Sequence, residues 1–420
     1  MGRSASAASG ELKRHLGVCD AVVIGLGSMI GAGVFAAFAP AARAAGPGLL
    51  VGLALAAVVA YCNATSSARL AARYPQSGGT YVYGRERLGD FWGYLAGWCF
   101  VVGKTASCAA MALTVGTYVW PDQAHAVAVA AVVALTGVNY VGVRKSAWLT
   151  RGIVAVVLAV LAAVVTACLA GGQARALRLE VGEHTTFGGV LQAAGLLFFA
   201  FAGYARIATL GEEVRDPKRT IPRAVPLALG ITLAVYAAVA VAVLAVLGAD
   251  ELARTADPLA EAVRAAGVPG LAPVVRAGAA VAAIGSLLAL ILGVSRTTLA
   301  MARDRHLPYA LAAVHPRFQV PHRAESAVGA VVAVLAATAD LRGAIGFSSF
   351  GVLAYYAVAN ASAWTLTPAE GRPARIVPLV GTAGCLVLAF ALPPASVLWG
   401  AAVIAAGAAA YGLRKAATRA

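Results

Sequence analysis

The sequence predicts an all-α polytopic membrane protein, and three observations carry that reading. Of its 420 residues 60% are hydrophobic and only 12% charged, with a mean hydropathy of +0.80, too little polar surface to clothe a soluble globule of this size. Apolar stretches close to the ~20 residues of a spanning helix recur along the whole length, joined by short polar connections. Strand-length alternation is missing, and every backbone amide in lipid needs an internal partner, so helices are the spanning element.

The stretches divide into twelve expected spans, at 18–44, 48–70, 91–119, 125–143, 150–170, 188–211, 224–248, 273–302, 325–339, 343–366, 376–391 and 394–412. With the N-terminus in the cytoplasm, and with Arg43, Arg69, Arg151 and Arg276 at the span ends counted with the adjoining loops, 23 of the 33 Lys and Arg residues fall on the inner side, 7 on the outer side and 3 deeper within spans. The positive-inside rule therefore places both termini in the cytoplasm of an inner (plasma) membrane protein. The net charge of +15 is spread over many short inner loops, which topology explains without a nucleic-acid partner. The first span follows a mixed, basic segment and is long and Gly-rich, so no cleaved leader is expected.

Spans 1 and 6 are interrupted at mid-depth by small residues. Span 1 reads Ile-Gly-Leu-Gly-Ser-Met-Ile-Gly-Ala-Gly-Val-Phe from Ile24 to Phe35, and span 6 reads Leu-Phe-Phe-Ala-Phe-Ala-Gly-Tyr from Leu197 to Tyr204. If spans 1–5 and 6–10 are two halves, these are the first helix of each, where an inverted repeat places its discontinuous helices. A break in mid-membrane frees N–H and C=O groups at several kcal/mol each, so it persists only against a protein-lined cavity or a ligand. A zwitterion supplies both missing partners, its carboxylate to the N–H groups and its ammonium to the carbonyls. Two other readings of the glycine run compete. Its G-x-G-x-x-x-G spacing has no preceding strand and does not fit a nucleotide loop, and Gly27 to Gly31 would also serve as a G-x-x-x-G packing face.

The charge inventory narrows the chemistry. All 18 Asp and Glu residues are expected in loops or at span ends, and none of the six histidines at mid-depth, so no buried carboxylate awaits a cationic side chain or relays protons. Polyamines, lysine and arginine are thereby disfavoured. Two basic residues lie inside spans, Lys104 in span 3 and Arg206 just beyond the span 6 break. Lys104 is either a proton carrier or a fixed tie to the carbonyls of a broken helix, and Arg206 either a substitute for a cation or a partner for an anionic substrate group. Arg296, near the inner end of span 8, reads as a snorkelling residue. Leu287 to Leu292 offers no hydroxyl pair for sodium. Glu212 and Glu213 with Arg215, Lys218 and Arg219 form an expected inner-face cluster, either a gate or solvated loop charges. The six cysteines stand singly, with no C-x-x-C and no grouping with histidine, so neither metal nor cofactor is expected. No buried nucleophile with its base is found, which argues against an enzyme.

Four motifs in order resemble the amino acid–polyamine–organocation permeases. They are Leu12 through Phe35, then Arg73 to Tyr83 (Arg-Tyr-Pro-Gln-Ser-Gly-Gly-Thr-Tyr-Val-Tyr) followed by Gly93 to Trp98, then Gly211 to Pro222 (Gly-Glu-Glu-Val-Arg-Asp-Pro-Lys-Arg-Thr-Ile-Pro), and Ser295 through Pro308. The resemblance spans roughly residues 12 to 365. It implies a LeuT-like fold of two inverted five-helix halves, about 18–170 and 188–366, after a short cytoplasmic segment 1–17 and before two further helices in 367–420. It also implies alternating access, moving amino acids or related small metabolites by proton symport or exchange. Carried over, Met29, Ile30, Gly31, Ala32 and Gly33 would hold the α-carboxyl and α-amino groups. Phe199 would be an aromatic gate, and Ala200, Phe201 and Gly203 would line the span 6 break. Some proton-coupled relatives have a lysine in span 5 where this chain has Val157, which leaves Lys104 or Arg206 to compensate. The sequence thus predicts a carrier of neutral or acidic amino acids. A sensor or assembly subunit that keeps the fold without transporting is the alternative, although the short tails and intact breaks speak against it. A channel would need a polar-lined path through spans that are rich in Ala, Val and Leu.

Overall fold

The computed structural model describes residues 16–75, 78–142, 147–182, 185–208 and 214–417. Within them the regular structure is helical. Span 1 is built from α1 (Val18–Met29), α2 (Ala32–Ala36) and α3 (Phe38–Ala45), and span 2 is α4 (Leu49–Arg73). A short α5 (Thr80–Leu88) precedes span 3, α6 (Asp90–Val119), which is followed by α7 (Ala124–Tyr140) and α8 (Ala147–Ala170). Span 6 consists of α9 (Phe187–Phe201), a 3-10 turn at Ala202–Tyr204 and α10 (Ala205–Ala208). Span 7 is α11 (Pro217–Arg254), then come a short α12 (Pro258–Ala265) and span 8, α13 (Ala272–Arg303). Spans 9 to 12 are α14 (His322–Thr338), α15 (Leu341–Trp364), α16 (Ile376–Ala391) and α17 (Pro394–Ala417).

Among the described residues ten helical stretches are long and apolar enough to cross a membrane, those of spans 1–8, 10 and 12. α16 has 16 residues and α14 has 17, about 24–26 Å of rise against a ~30 Å hydrocarbon core. Helix length therefore supports ten of the twelve expected crossings outright. Hydropathy did not foresee α5 and α12, which are short helices in the connections. In α11 the helix is interrupted at Gly248, whose φ of +75° is open to glycine and strained for other residues, so the apolar span ends where expected.

The packing has the symmetry of a five-plus-five repeat. Span 2 packs along span 6 as span 7 packs along span 1, span 3 along span 10 as span 8 along span 5, and spans 2 and 7, 3 and 8, and 4 and 9 pack on one another. Exchanging spans 1–5 with 6–10 maps this pattern onto itself. Five is an odd number, so the second half enters the membrane from the opposite side to the first. Close approach between the halves uses small residues. A Cβ on Gly103 of α6 would stand 3.2 Å from the Cα of Gly351 of α15, so these backbones touch.

One end of the bundle is laced by ion pairs that start from α5 and the end of α4. Arg85 meets Asp304 at 3.0 Å, the Tyr81 hydroxyl donates to Asp304 at 2.5 Å, and Arg73 and Arg87 both reach Glu370. Arg87, Arg73 and the Thr367 amide and hydroxyl surround the Glu370 carboxylate, and its pKa is held down to about 2, first by the backbone N–H of Thr367 and next by Arg87.

Candidate functional site

The span 1 break is sharp. Ile30 closes α1 by donating its N–H to Leu26 O at 2.7 Å, and its ψ of 62° then leaves the helix. Gly31 follows with φ −118° and ψ −138°, and its N–H turns back to Met29 O at 2.8 Å. The span 6 break is milder than the sequence suggested. The chain tightens into the 3-10 turn Ala202–Tyr204 between α9 and α10, which shifts the hydrogen-bond register and releases carbonyls for partners outside the helix.

The two breaks meet. A Cβ on Gly203 would lie 2.2 Å from Ser28 O and 2.7 Å from Met29 N, and one on Gly33 would lie 2.6 Å from the Cα of Ala200. Only hydrogen fits at either position, so these glycines let the two broken helices lie backbone to backbone. Gly31 faces span 8, where a Cβ would fall 2.0 Å from the Ser286 Oγ. Met29, Ile30, Gly31, Ala32, Gly33, Phe199, Ala200 and Phe201 are all buried, and Gly203 is half-buried. Ala32 packs with Val115 of span 3 and Ala283 of span 8. The structure thus shows the two breaks closed upon each other.

Two side chains from other spans take the released carbonyls. The Tyr236 hydroxyl of α11 lies 2.5 Å from Met29 O and 3.0 Å from Ala200 O, one acceptor from each broken helix. A phenol carries one proton, so it donates to one carbonyl at a time while sitting against both. Its ring packs on Phe201 at 5.2 Å. Lys104, buried in α6, donates from Nζ to Ala202 O in the 3-10 turn at 3.1 Å. Of the two roles open to Lys104, this contact is the tie to a broken helix. Arg206 stands half-buried in α10, one turn beyond Ala202. Val157 is fully buried in α8.

Sequence reasoning missed Tyr236 and Ser286. The signal for the first was present, because Thr232 and Tyr236 are the two side chains with polar groups between Ala224 and Leu247. Ser286 stands one residue before the stretch searched for hydroxyls, and its Oγ is buried without a hydrogen-bond partner. One expectation is corrected. Not every carboxylate is at the surface, since Glu325 in the first turn of α14 is fully buried and Asp257 is buried between Arg264 and Arg276. Both were expected at exposed positions because hydropathy sees a span end or a loop there, whereas the neighbouring helices cover them. Of the expected gating cluster, Arg215 ties its N–H to Leu16 O at 2.9 Å and Arg219 pairs with Asp216 at 3.6 Å, while Glu212 and Glu213 lie outside the described residues. A cavity of about 480 Å³ lies elsewhere, at the far end of α11, lined by Leu247, Asp250, Glu251, Arg254, Thr255 and Glu261.

Comparison with known proteins bears on what the two breaks are for. The family model described as amino acid permease matches residues 20–371. The chain is 78% identical to an "uncharacterized transporter" of Mycobacterium tuberculosis, over 97% of this chain and 93% of that one. It is 26% identical to the "branched-chain amino acid permease BcaP" of Bacillus subtilis, over 80% and 77% of the two chains, and 29% identical to human "cationic amino acid transporter 4", over 88% and 63%.

Proposed function

The chain belongs to the amino acid permease family, and from that premise we propose that it is a secondary carrier of neutral or acidic amino acids in the plasma membrane, both termini cytoplasmic. It works by alternating access between the five-helix halves, with proton symport or exchange. The observation that carries this reading is the meeting of the two interrupted spans through Gly33, Gly203 and Tyr236. Backbone carbonyls and amides gathered at one place in mid-membrane suit a zwitterion. In the closed conformation Tyr236 and Lys104 occupy carbonyls that a substrate ammonium would otherwise use. Substrate entry then requires the two spans to part, exposing Met29 to Gly33 on one side and Phe199 to Gly203 on the other.

Electrostatics supports the substrate class. Relatives are named for branched-chain and for cationic substrates, so names alone do not choose. Beside the span 6 break stands a basic group, Lys104 on Ala202 O. A cationic side chain there would face like charge in a low dielectric, whereas a neutral side chain is indifferent to it and an acidic one is attracted.

The test is a thermal-shift screen of the purified protein against the twenty amino acids, polyamines and small organic acids, followed by proteoliposome uptake of the hits across a pH gradient. Neutral or acidic hits that accumulate are expected. Hits confined to lysine, arginine or polyamines would overturn the substrate class. Hits that bind without ever being taken up would favour a sensor over a carrier.

A further inference from the structure

The first turn of α14 holds a group that the site above does not use. Glu325 is fully buried, and neither carboxylate oxygen has a hydrogen-bond partner. The same face of the helix, at one-turn spacing, carries His322 before it and Gly329 after it. Gly329 packs directly on Thr136 of α7, and the His322 ring lies 6.1 Å from that of Tyr140. The Nδ1 of His322 and the Oγ1 of Thr136 are also buried without partners. Four polar atoms without partners thus line one helix interface. An anion there, with no donor, would be strongly disfavoured, so a fully buried carboxyl at the end of a span is a candidate for function.

The elements packed on α14 are α7, α6, α13 and the 3-10 turn Tyr309–Ala312. α7 contributes Tyr140, whose ring also meets His315. α13 contributes Arg296, an exposed residue whose charge acts on Glu325 without forming an ion pair. Beyond Asp90 the charged side chain of α6 is Lys104, which is turned to Ala202. The 3-10 turn supplies Tyr309, under the Arg305 guanidinium, and on α14 itself Arg323 reaches Ala310 O at 3.5 Å. No donor from these elements reaches the carboxyl, while His322 and His315, whose rings are 5.4 Å apart, lead from it toward the basic face.

We propose that Glu325 is a proton-binding carboxyl of the transport cycle, loaded in the closed conformation and discharged toward the face that carries residues 304–321. The proposal rests on the reading of the chain as a proton-coupled carrier. It gives the proton a seat separate from Lys104, whose ammonium is committed to Ala202.

Wild type and E325Q in proteoliposomes test it, with a radiolabelled mixture of the neutral L-amino acids as probe. Two quantities are measured, exchange at equal pH and accumulation down an inward proton gradient. At one proton per substrate the wild type accumulates about tenfold per pH unit, and E325Q keeps exchange while its accumulation ratio falls to one. E325Q that accumulates like the wild type overturns the proposal. Wild type that exchanges but ignores the gradient overturns both proton coupling and the proposal, and wild type that does neither overturns the carrier reading itself. If E325Q does not insert, E325D decides by infrared spectroscopy. Its protonated-carboxyl C=O band must differ in frequency from that of the wild type, and identical bands overturn the assignment.

Discussion

Gly203→Ala adds one methyl group at the point where the two broken helices touch. The new Cβ would stand 2.2 Å from Ser28 O, 2.4 Å from Ser28 C and 2.7 Å from Met29 N. All three are backbone atoms, so no side chain can rotate away, and an ordinary contact requires the helices to move apart by about 1 Å. Overpacking of this kind costs about 1–3 kcal/mol, a factor of about 5 to 150 in the equilibrium that closes the breaks. The expected variant reaches the membrane in wild-type amount, has a lowered melting temperature, and loses uptake and ligand-induced thermal shift by at least about tenfold. Gly293→Ala in α13 is the control, because a Cβ there meets nothing within 4 Å and alanine is the better helix former by about 1 kcal/mol. It should transport normally and melt no lower than wild type. Wild-type uptake by Gly203→Ala would refute the contact between spans 1 and 6 as the place where the carrier closes.

Gly31→Ala clashes chiefly with the Ser286 Oγ, a side-chain atom, so Ser286→Gly should restore much of the uptake it loses, measured as a double-mutant cycle; additive losses would place the clash elsewhere. Tyr236→Phe removes the hydroxyl that sits against Met29 O and Ala200 O; Met29 O keeps the Gly31 N–H, and depriving the buried Ala200 carbonyl of this donor should lower stability by about 1–3 kcal/mol, read as a fall in melting temperature with no loss of membrane insertion. Burial in first place, then the Arg414 charge, pushes the His306 pKa below its ordinary value against the opposing pull of Asp304. The unfolded chain therefore binds the proton more readily, and His306 lowers stability progressively as pH falls below about 6.5; His306→Gln should flatten that slope in thermal melts, and an unchanged slope would remove His306 as its source.

The apolar spans and their interruptions were legible in the sequence because each is a local property. Hydropathy over ~20 residues marks what lipid accepts, and the glycines from Gly25 to Gly33 mark where a helix cannot run smoothly. The pairing of spans 1 and 6 followed from their equivalent places in two five-helix halves. What each glycine accommodates was decided only by tertiary structure, since Gly33 answers to Ala200, Gly203 to Ser28 and Gly31 to Ser286, partners far away in the chain. Which carbonyl meets Lys104, that of Ala202, was likewise set by the fold. Tyr236 looked like one more aromatic in an apolar span until α11 crossed both breaks. Glu325 stands at the start of a span as expected and differs in its burial. In the first turn of α14, local pattern marks it as a surface charge, and only the packing of neighbouring elements on α14, α7, α6, α13 and the Tyr309–Ala312 turn, removes it from water. Burial of a polar group depends on what arrives from elsewhere in the chain, and a hydropathy window does not contain that information.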